Sequence, residues 1–174
     1  MSLSERARAA IRDVSDFPKP GVVFKDITPL LADGALFEDI CDWMVERFSG
    51  ASVTHVLGIE SRGFLFGTPV AHRLSAGFVP ARKPGKLPWR TERVTYDLEY
   101  GQDALEIHAD AFGPGARVLV VDDLLATGGT AAAACALVER LGAALTGVCV
   151  VIELTALHGR EKLAGRPFRA LVEI

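Results

Sequence analysis

Val118-Leu119-Val120-Val121-Asp122-Asp123-Leu124-Leu125-Ala126-Thr127-Gly128-Gly129-Thr130 decides the fold. A wholly apolar run ends in two acids, and a loop of small residues then opens an alanine-rich stretch that reaches Leu141-Gly142. That order reads as buried strand, loop and helix, the repeating unit of a parallel α/β sheet. Ligands of such sheets bind beyond the carboxyl ends of the strands, and small residues at a helix N-terminus offer backbone N–H groups to an anion. Residues 126–130 are therefore expected to hold a phosphate, with the Thr127 and Thr130 hydroxyls as added donors. A tight turn capped by aspartates is the plainer account of Thr-Gly-Gly-Thr alone. Two carboxylates at the end of a buried strand are costly without polar partners, however, so sugar hydroxyls or a metal explain the acids more economically. Neither a GxxxxGKS/T loop nor a GxGxxG following a strand occurs, which removes the usual support for a nucleoside triphosphatase or a dinucleotide enzyme.

Outward from this unit the same grammar continues. Residues 53–59 read as a buried strand, followed by Glu60-Ser61-Arg62-Gly63 and a helix to about Leu74. Upstream, Phe37, Ile40, Cys41, Met44, Val45 and Phe48 recur at helical spacing behind Asp33-Gly34. Residues 4–13 look like a short polar helix, and Phe17-Pro18-Lys19-Pro20-Gly21 imposes a loop. Residues 78–82 are β-like. Val94, Tyr96, Leu98 and Tyr100 then alternate with polar residues, Tyr100-Gly101-Gln102-Asp103 supplies a turn, and Leu105 and Ile107 continue on the return. Downstream, 145–152 is a buried strand, 157–163 a short helix and 168–174 a last strand. The expected fold is α/β, a mainly parallel central sheet flanked by helices, in a single domain spanning 1–174.

Bulk properties bound the function. With 49% hydrophobic and 24% charged residues the chain is an ordinary globular one. Nineteen basic against 22 acidic residues, net −3, lack the basic excess that a nucleic-acid binder needs. Cys41, Cys135 and Cys149 are odd in number and far apart, which fits neither a disulfide framework nor a zinc site and suits a cytoplasmic setting. The N-terminus has no signal-like apolar core and no uninterrupted apolar stretch of about 18 residues occurs, so neither export nor a membrane partner is expected. His55, His72, His108 and His158 have no metal-ligand spacing and read as structural.

An apolar strand, paired acids and Ala-Thr-Gly-Gly-Thr resemble the phosphoribosyl pyrophosphate loop of the type I phosphoribosyltransferases. The likeness sharpens toward the adenine phosphoribosyltransferase family through Asp16-Phe17-Pro18, Pro20-Gly21-Val22-Val23-Phe24-Lys25-Asp26-Ile27, Gly58-Ile59-Glu60-Ser61-Arg62-Gly63-Phe64, Arg82-Lys83-Pro84-Gly85-Lys86-Leu87-Pro88, Leu98-Glu99-Tyr100-Gly101 and Gly159-Arg160-Glu161-Lys162-Leu163. These segments span nearly the whole chain. Enzymes acting on 6-oxopurines carry an aspartate, the proposed base near purine N7, where this chain has Ala126. Alanine accepts no proton, so the base or hydrogen-bonding acid must come from elsewhere, and the resemblance to the adenine family implies the glutamate of Leu98-Glu99-Tyr100-Gly101, Glu99.

The resemblance implies transfer of the 5-phosphoribosyl group of phosphoribosyl pyrophosphate to N9 of adenine, giving AMP and pyrophosphate with Mg²⁺ bound mainly through substrate, in a homodimer. It implies Asp122 and Asp123 on the ribose hydroxyls and residues 126–130 on the 5′-phosphate. Glu60, Ser61 and Arg62 would form a pyrophosphate loop with a cis Glu60–Ser61 bond. Residues 83–103 would form a hairpin lid bringing Arg82, Lys83 and Lys86 over the leaving group, with Glu99 and Tyr100 on it; Trp89-Arg90-Thr91-Glu92 is bulkier and more charged than expected there. Residues 1–32 would form a hood in which Val23, Phe24 and Lys25 face adenine, with Leu154 on the other side. Glu99, Arg62 and Lys86 are the expected catalytic residues. Each has a plainer account: Arg62 as a surface charge, the 82–86 cations as a solvated loop, Glu99 as an exposed strand carboxylate, Tyr100 and Phe24 as packing. Two other functions compete: transfer to xanthine or a pyrimidine, and a non-catalytic regulator that senses phosphoribosyl pyrophosphate and binds nucleic acid.

Overall fold

Alternation along the buried strands sorts the helices into two layers. The computed structural model describes residues 1–98 and 101–174. Its centre is a five-stranded, wholly parallel sheet built from β3 (His55–Ile59), β4 (Gly77–Ala81), β7 (Arg117–Leu125), β8 (Ala144–Glu153) and β9 (Phe168–Glu173), in the order β4-β3-β7-β8-β9. Val56, Leu119, Val121, Cys149 and Val151 face one way, against α3 (Gly34–Phe48) and α4 (Arg62–Arg73). Leu57, Val118, Val120, Val148 and Val150 face the other, against α5 (Gly129–Arg140) and an antiparallel hairpin of β5 (Thr91–Leu98) and β6 (Gly101–His108). Burial on both faces is why these strands read as continuous apolar runs. The three cysteines are free and buried, and desolvation pushes their thiols up to about 11 for Cys41 and about 12 for Cys135 and Cys149.

From β3 the chain moves to one side, to β4; from β7 it moves to the other, to β8. The order of connection therefore reverses between β3 and β7, which puts the crevice of an open α/β sheet beyond their carboxyl ends. Residues 60–62 and 122–130 both emerge there.

The expected βα units are all present, with corrections at the margins. The first helix, α1 (Leu3–Ala10), opens on a Ser2/Glu5 capping box but stops at Ala10 instead of 13. Arg12–Ser15 then forms β1, which pairs antiparallel with β2 (Val23–Asp26) across the proline loop, and α2 (Thr28–Ala32) follows. Residues 157–163 are two short 3₁₀ turns, Thr155–Leu157 and Gly159–Leu163, and not an α-helix. Gly101, Gln102 and Asp103 belong to β6, opposite Leu98, Asp97 and Tyr96, so these three residues of the turn read at 100–103 are strand. The returning strand runs to His108, in step with the alternation read through Leu105 and Ile107.

Candidate active site

The phosphate loop is shaped by backbone packed on backbone. Gly128 caps α5 in the left-handed region, φ +80°, where a side chain is strained. A Cβ there would overlap the carbonyl of Gly159, and a Cβ on Gly159 would overlap the carbonyl of Ala126. The Gly159 segment, quoted above without a role, is thus the wall that fixes the loop. Asp122 and residues 124–131 line a cavity of about 90 Å³. That is far below the ~300–1,000 Å³ of a site for a whole small molecule, and suits one phosphate group at the positive end of α5.

The paired acids lie within β7, at its carboxyl half. Asp122 accepts the Asp123 N–H at 2.9 Å. Asp123 is only 4% exposed; Arg62 Nε lies 3.0 Å from its Oδ2, yet the alignment is not that of a hydrogen bond and the buried oxygen has no hydrogen-bond partner. Burial first, and then the Asp123 charge, push the Asp122 carboxyl well above the usual carboxylate range; burial raises Asp123 as well, opposed chiefly by Arg62. Two desolvated acids, one with an orphaned oxygen, are a receptor for hydroxyl donors.

Arg62, at the start of α4, ties two regions together. Besides Asp123 it reaches the Lys25 carbonyl at 3.4 Å and stands 5.1 Å from the centroid of the Phe24 ring. The Glu60–Ser61 bond beside it is cis, as expected, and Gly63 lets α4 approach β7: a Cβ there would sit 2.8 Å from the Val121 oxygen. Phe24 also meets Phe17 edge-on at 5.2 Å, Val23 is half exposed, and Lys25 pairs with Asp13 at 2.7 Å. Leu154 follows β8 and is anchored by its N–H to the Leu125 carbonyl at 2.9 Å.

The cations expected to meet pyrophosphate are held by carboxylates. Glu60 accepts from Lys86 Nζ, from Arg82 Nη2 at 3.3 Å and from the Lys83 N–H at 3.0 Å. Burial pushes the Glu60 carboxyl up, but these donors outweigh it, Lys86 foremost, and bring it down to about 2. Lys83 pairs with Asp103 and donates to the Tyr96 hydroxyl at 2.9 Å. Burial disfavours its charge, and the bonds to Asp103 and Tyr96 more than restore it.

The structure thus gathers Glu60, Ser61, Arg62, Arg82, Lys83, Lys86 and residues 122–130 at one end of the sheet, with residues 23–25 joined through Arg62. Glu99 and Tyr100 lie outside the described residues. Sequence reasoning missed Glu106, buried on β6, which accepts from Arg93 Nε at 2.7 Å and from the Gly85 N–H at 3.2 Å and so anchors the 82–86 segment. It also missed Tyr96, whose partners are distant in the chain. Among the described residues no three His, Cys, Asp or Glu side chains cluster as a metal site. The Asp122/Asp123 pair and its orphaned oxygen fit Mg²⁺ held through one or two carboxylates and substrate oxygens.

Residues 27–168 match the phosphoribosyl transferase domain family. An adenine phosphoribosyltransferase of Roseiflexus castenholzii is 58% identical over 163 residues, 94% of this chain and 95% of that one. Another, from Clostridium perfringens, is 56% identical over 173 residues, 99% of this chain and 98% of that one. The crystal structure of adenine phosphoribosyltransferase from Thermoanaerobacter pseudethanolicus superposes with a TM-score of 0.95 at 48% identity, covering 99% of this chain and all of that one. The Saccharomyces cerevisiae enzyme, complexed with D-2,5-dideoxy-2,5-imino-altritol 1,6-bisphosphate and adenine, gives 0.91 at 40% identity over 97% of this chain and 98% of that one. With this likeness running from the N-terminal hairpin to β9, the chain belongs to the phosphoribosyltransferases, in their adenine phosphoribosyltransferase family.

Proposed function

We infer that the chain transfers the 5-phosphoribosyl group of phosphoribosyl pyrophosphate to N9 of adenine, releasing pyrophosphate and forming AMP. The observation that carries this reading is the adjacency of a phosphate-sized cradle at 126–130 to a buried acid pair with an unsatisfied oxygen, beside the Arg62 loop. The cradle takes the 5′-phosphate, and Asp122 and Asp123 accept the ribose hydroxyls. Arg62 holds Asp123 in place and, with the N–H groups after Ser61, receives the pyrophosphate. Arg82 and Lys86, gathered by Glu60, add positive charge where the leaving group departs, and so act on charge that develops in the transition state. Mg²⁺, held by substrate oxygens and the acid pair, would supply further charge neutralisation on the pyrophosphate. As the C1–O bond breaks, positive charge grows on the sugar, adenine N9 closes the new bond, and the imidazole proton of adenine leaves to a base. Phe24 gives adenine an aromatic face, with Leu154 opposite, and Glu99 near N7 is the candidate for that base or for a hydrogen-bonding acid. The hairpin and the 82–86 segment act as a lid and residues 1–32 as a hood. A homodimer, a cytoplasmic setting and the absence of nucleic-acid and membrane partners complete the reading. They are supported by the family likeness, the free buried cysteines and the net charge of −3.

Turnover with Mg²⁺ and each of adenine, hypoxanthine and guanine tests this. A mismatch of buried donors and acceptors at the 6-position rejects an analogue by up to ~10⁴–10⁵, whereas shape alone gives ~10–200-fold. Adenine is expected to win by far more than the shape limit in kcat/KM. A ratio below tenfold overturns base specificity, and no turnover overturns the reaction. Glu99→Gln is expected to lower kcat with little change in KM for adenine; a silent variant makes it an exposed carboxylate only.

A further inference from the structure

In this structure the Thr130 hydroxyl, on the first turn of α5, points its donor away from the cradle. Thr130 Oγ1 donates to the Tyr96 hydroxyl at 3.1 Å. Tyr96, on β5, also accepts from Lys83 Nζ at 2.9 Å and donates to Asp103 Oδ2 at 3.3 Å. Its ring is seated on the loop itself, since a Cβ on Gly129 would lie 3.2 Å from Tyr96 Cδ2. The Lys83 ammonium stands 5.5 Å from the ring centroid. A hydroxyl carries one proton, so a Thr130 that donates to Tyr96 presents only lone pairs to a phosphate, which it repels.

We propose that Tyr96 is a positioning residue for the substrate's 5′-phosphate, through a Lys83–Tyr96–Thr130 hydrogen-bond chain that reverses its sense when phosphate enters. On entry the Tyr96 hydroxyl rotates to donate to Thr130, and Thr130 rotates to donate to a phosphate oxygen. Every oxygen keeps its own proton and no covalent bond changes. Asp103 gives up the Tyr96 donor but keeps Lys83 and the Ala104 N–H at 2.8 Å. Lys83 donates to the Tyr96 oxygen in both states, so its charge polarises the chain toward the anion and strengthens the final donor. The same contact reports occupancy of the cradle to the hairpin and to Lys83, the neighbour of Arg82. This deepens the proposed function and rests on it.

Tyr96→Phe keeps the ring on Gly129 and removes only the oxygen. Its affinity for ribose 5-phosphate, measured by calorimetry, is expected to fall about 3- to 10-fold, the range one hydrogen bond carries. KM for phosphoribosyl pyrophosphate should rise alongside, with KM for adenine unchanged, a split that a general loss of structure does not produce. In a Thr130→Val background the effect of Tyr96→Phe should vanish, because the chain no longer reaches the phosphate. Lys83→Met probes the same chain without touching the ring and should behave likewise. A wild-type protein that binds ribose 5-phosphate and a Tyr96→Phe variant that binds it equally well overturn the relay alone, as do additive losses in the double variants. A wild-type protein that neither binds ribose 5-phosphate nor uses adenine overturns the proposed function, and the relay with it.

Discussion

Two loops at the carboxyl end of the sheet are held in opposite ways. Residues 126–130 are fixed by backbone: Gly128 and Gly159 meet without room for a Cβ on either, beside the cavity of about 90 Å³ that the loop lines. Residues 82–86 are fixed by charge: Glu60 gathers Arg82, Lys86 and the Lys83 N–H, Glu106 holds Gly85, and Asp103 holds Lys83. The first loop is preorganised for one anion and has little to rearrange. The second is neutralised internally, so under the proposed function a pyrophosphate would compete with carboxylates that already occupy its cations. Rigid recognition of a retained phosphate and exchangeable recognition of a departing one would suit a site that must release the latter.

Breaking the backbone side has the largest expected effect. Gly128→Ala introduces backbone strain of about 1–3 kcal/mol and overpacking of similar size against the Gly159 carbonyl. We expect kcat/KM to fall by about 100-fold or more and Tm to drop, measured by steady-state kinetics and thermal unfolding. Normal activity would mean that the loop adapts freely, and the contrast between the two loops would fail.

An intermediate effect sharpens the function of the preformed half. Asp122→Asn with Asp123→Asn is nearly isosteric and is expected to weaken phosphoribosyl pyrophosphate binding and turnover strongly. Both carboxyls are raised above their ordinary 3.8, so ionising the pair costs stability as pH rises past that value. Removing the charge should therefore leave Tm at pH 7 unchanged or higher. A collapse in Tm would assign the pair to the fold.

The smallest expected effect belongs to the exchangeable half. Glu60 titrates at about 2 in the folded protein against 4.5 ordinarily. A depressed carboxylate contributes stability that is complete above the ordinary value and is lost as pH falls toward the folded one. Acid unfolding of the wild type should carry that slope between about pH 4.5 and 2, and Glu60→Gln should flatten it. An unchanged slope would show that the cations are not held by Glu60.

Legibility in the sequence followed the same divide. The strands β3, β7 and β8 and the helices α3 and α5 were readable because burial on fixed faces imposes apolar runs and helical spacing. The cradle was readable because its ingredients lie within nine residues of one another. Strand β1 was not: four residues, mostly exposed, carry no periodic signal, and only pairing with β2 makes them a strand. Gly101 reads locally as a turn residue, and cross-strand pairing with Leu98 overrides that preference. Glu106 looked like any polar position of an alternating strand, because its burial comes from Arg93 and the 82–86 segment folding over it. Tyr96 was legible only as an apolar-phase residue, since its hydroxyl acquires meaning from Lys83 and Thr130, 13 and 34 residues away.

The three buried thiols equip the protein with intrinsic clocks of its own unfolding. Cys41 lies in the α3 layer, Cys149 in the sheet and Cys135 in the α5 layer, and none is appreciably ionised at neutral pH. An alkylating reagent, which attacks thiolates, reaches each only when its own layer opens. Labelling rates followed cysteine by cysteine would rank the opening free energies of the two faces and the sheet between them without any engineered probe. Saturating ribose 5-phosphate should slow the α5 clock most, because that helix begins at the cradle.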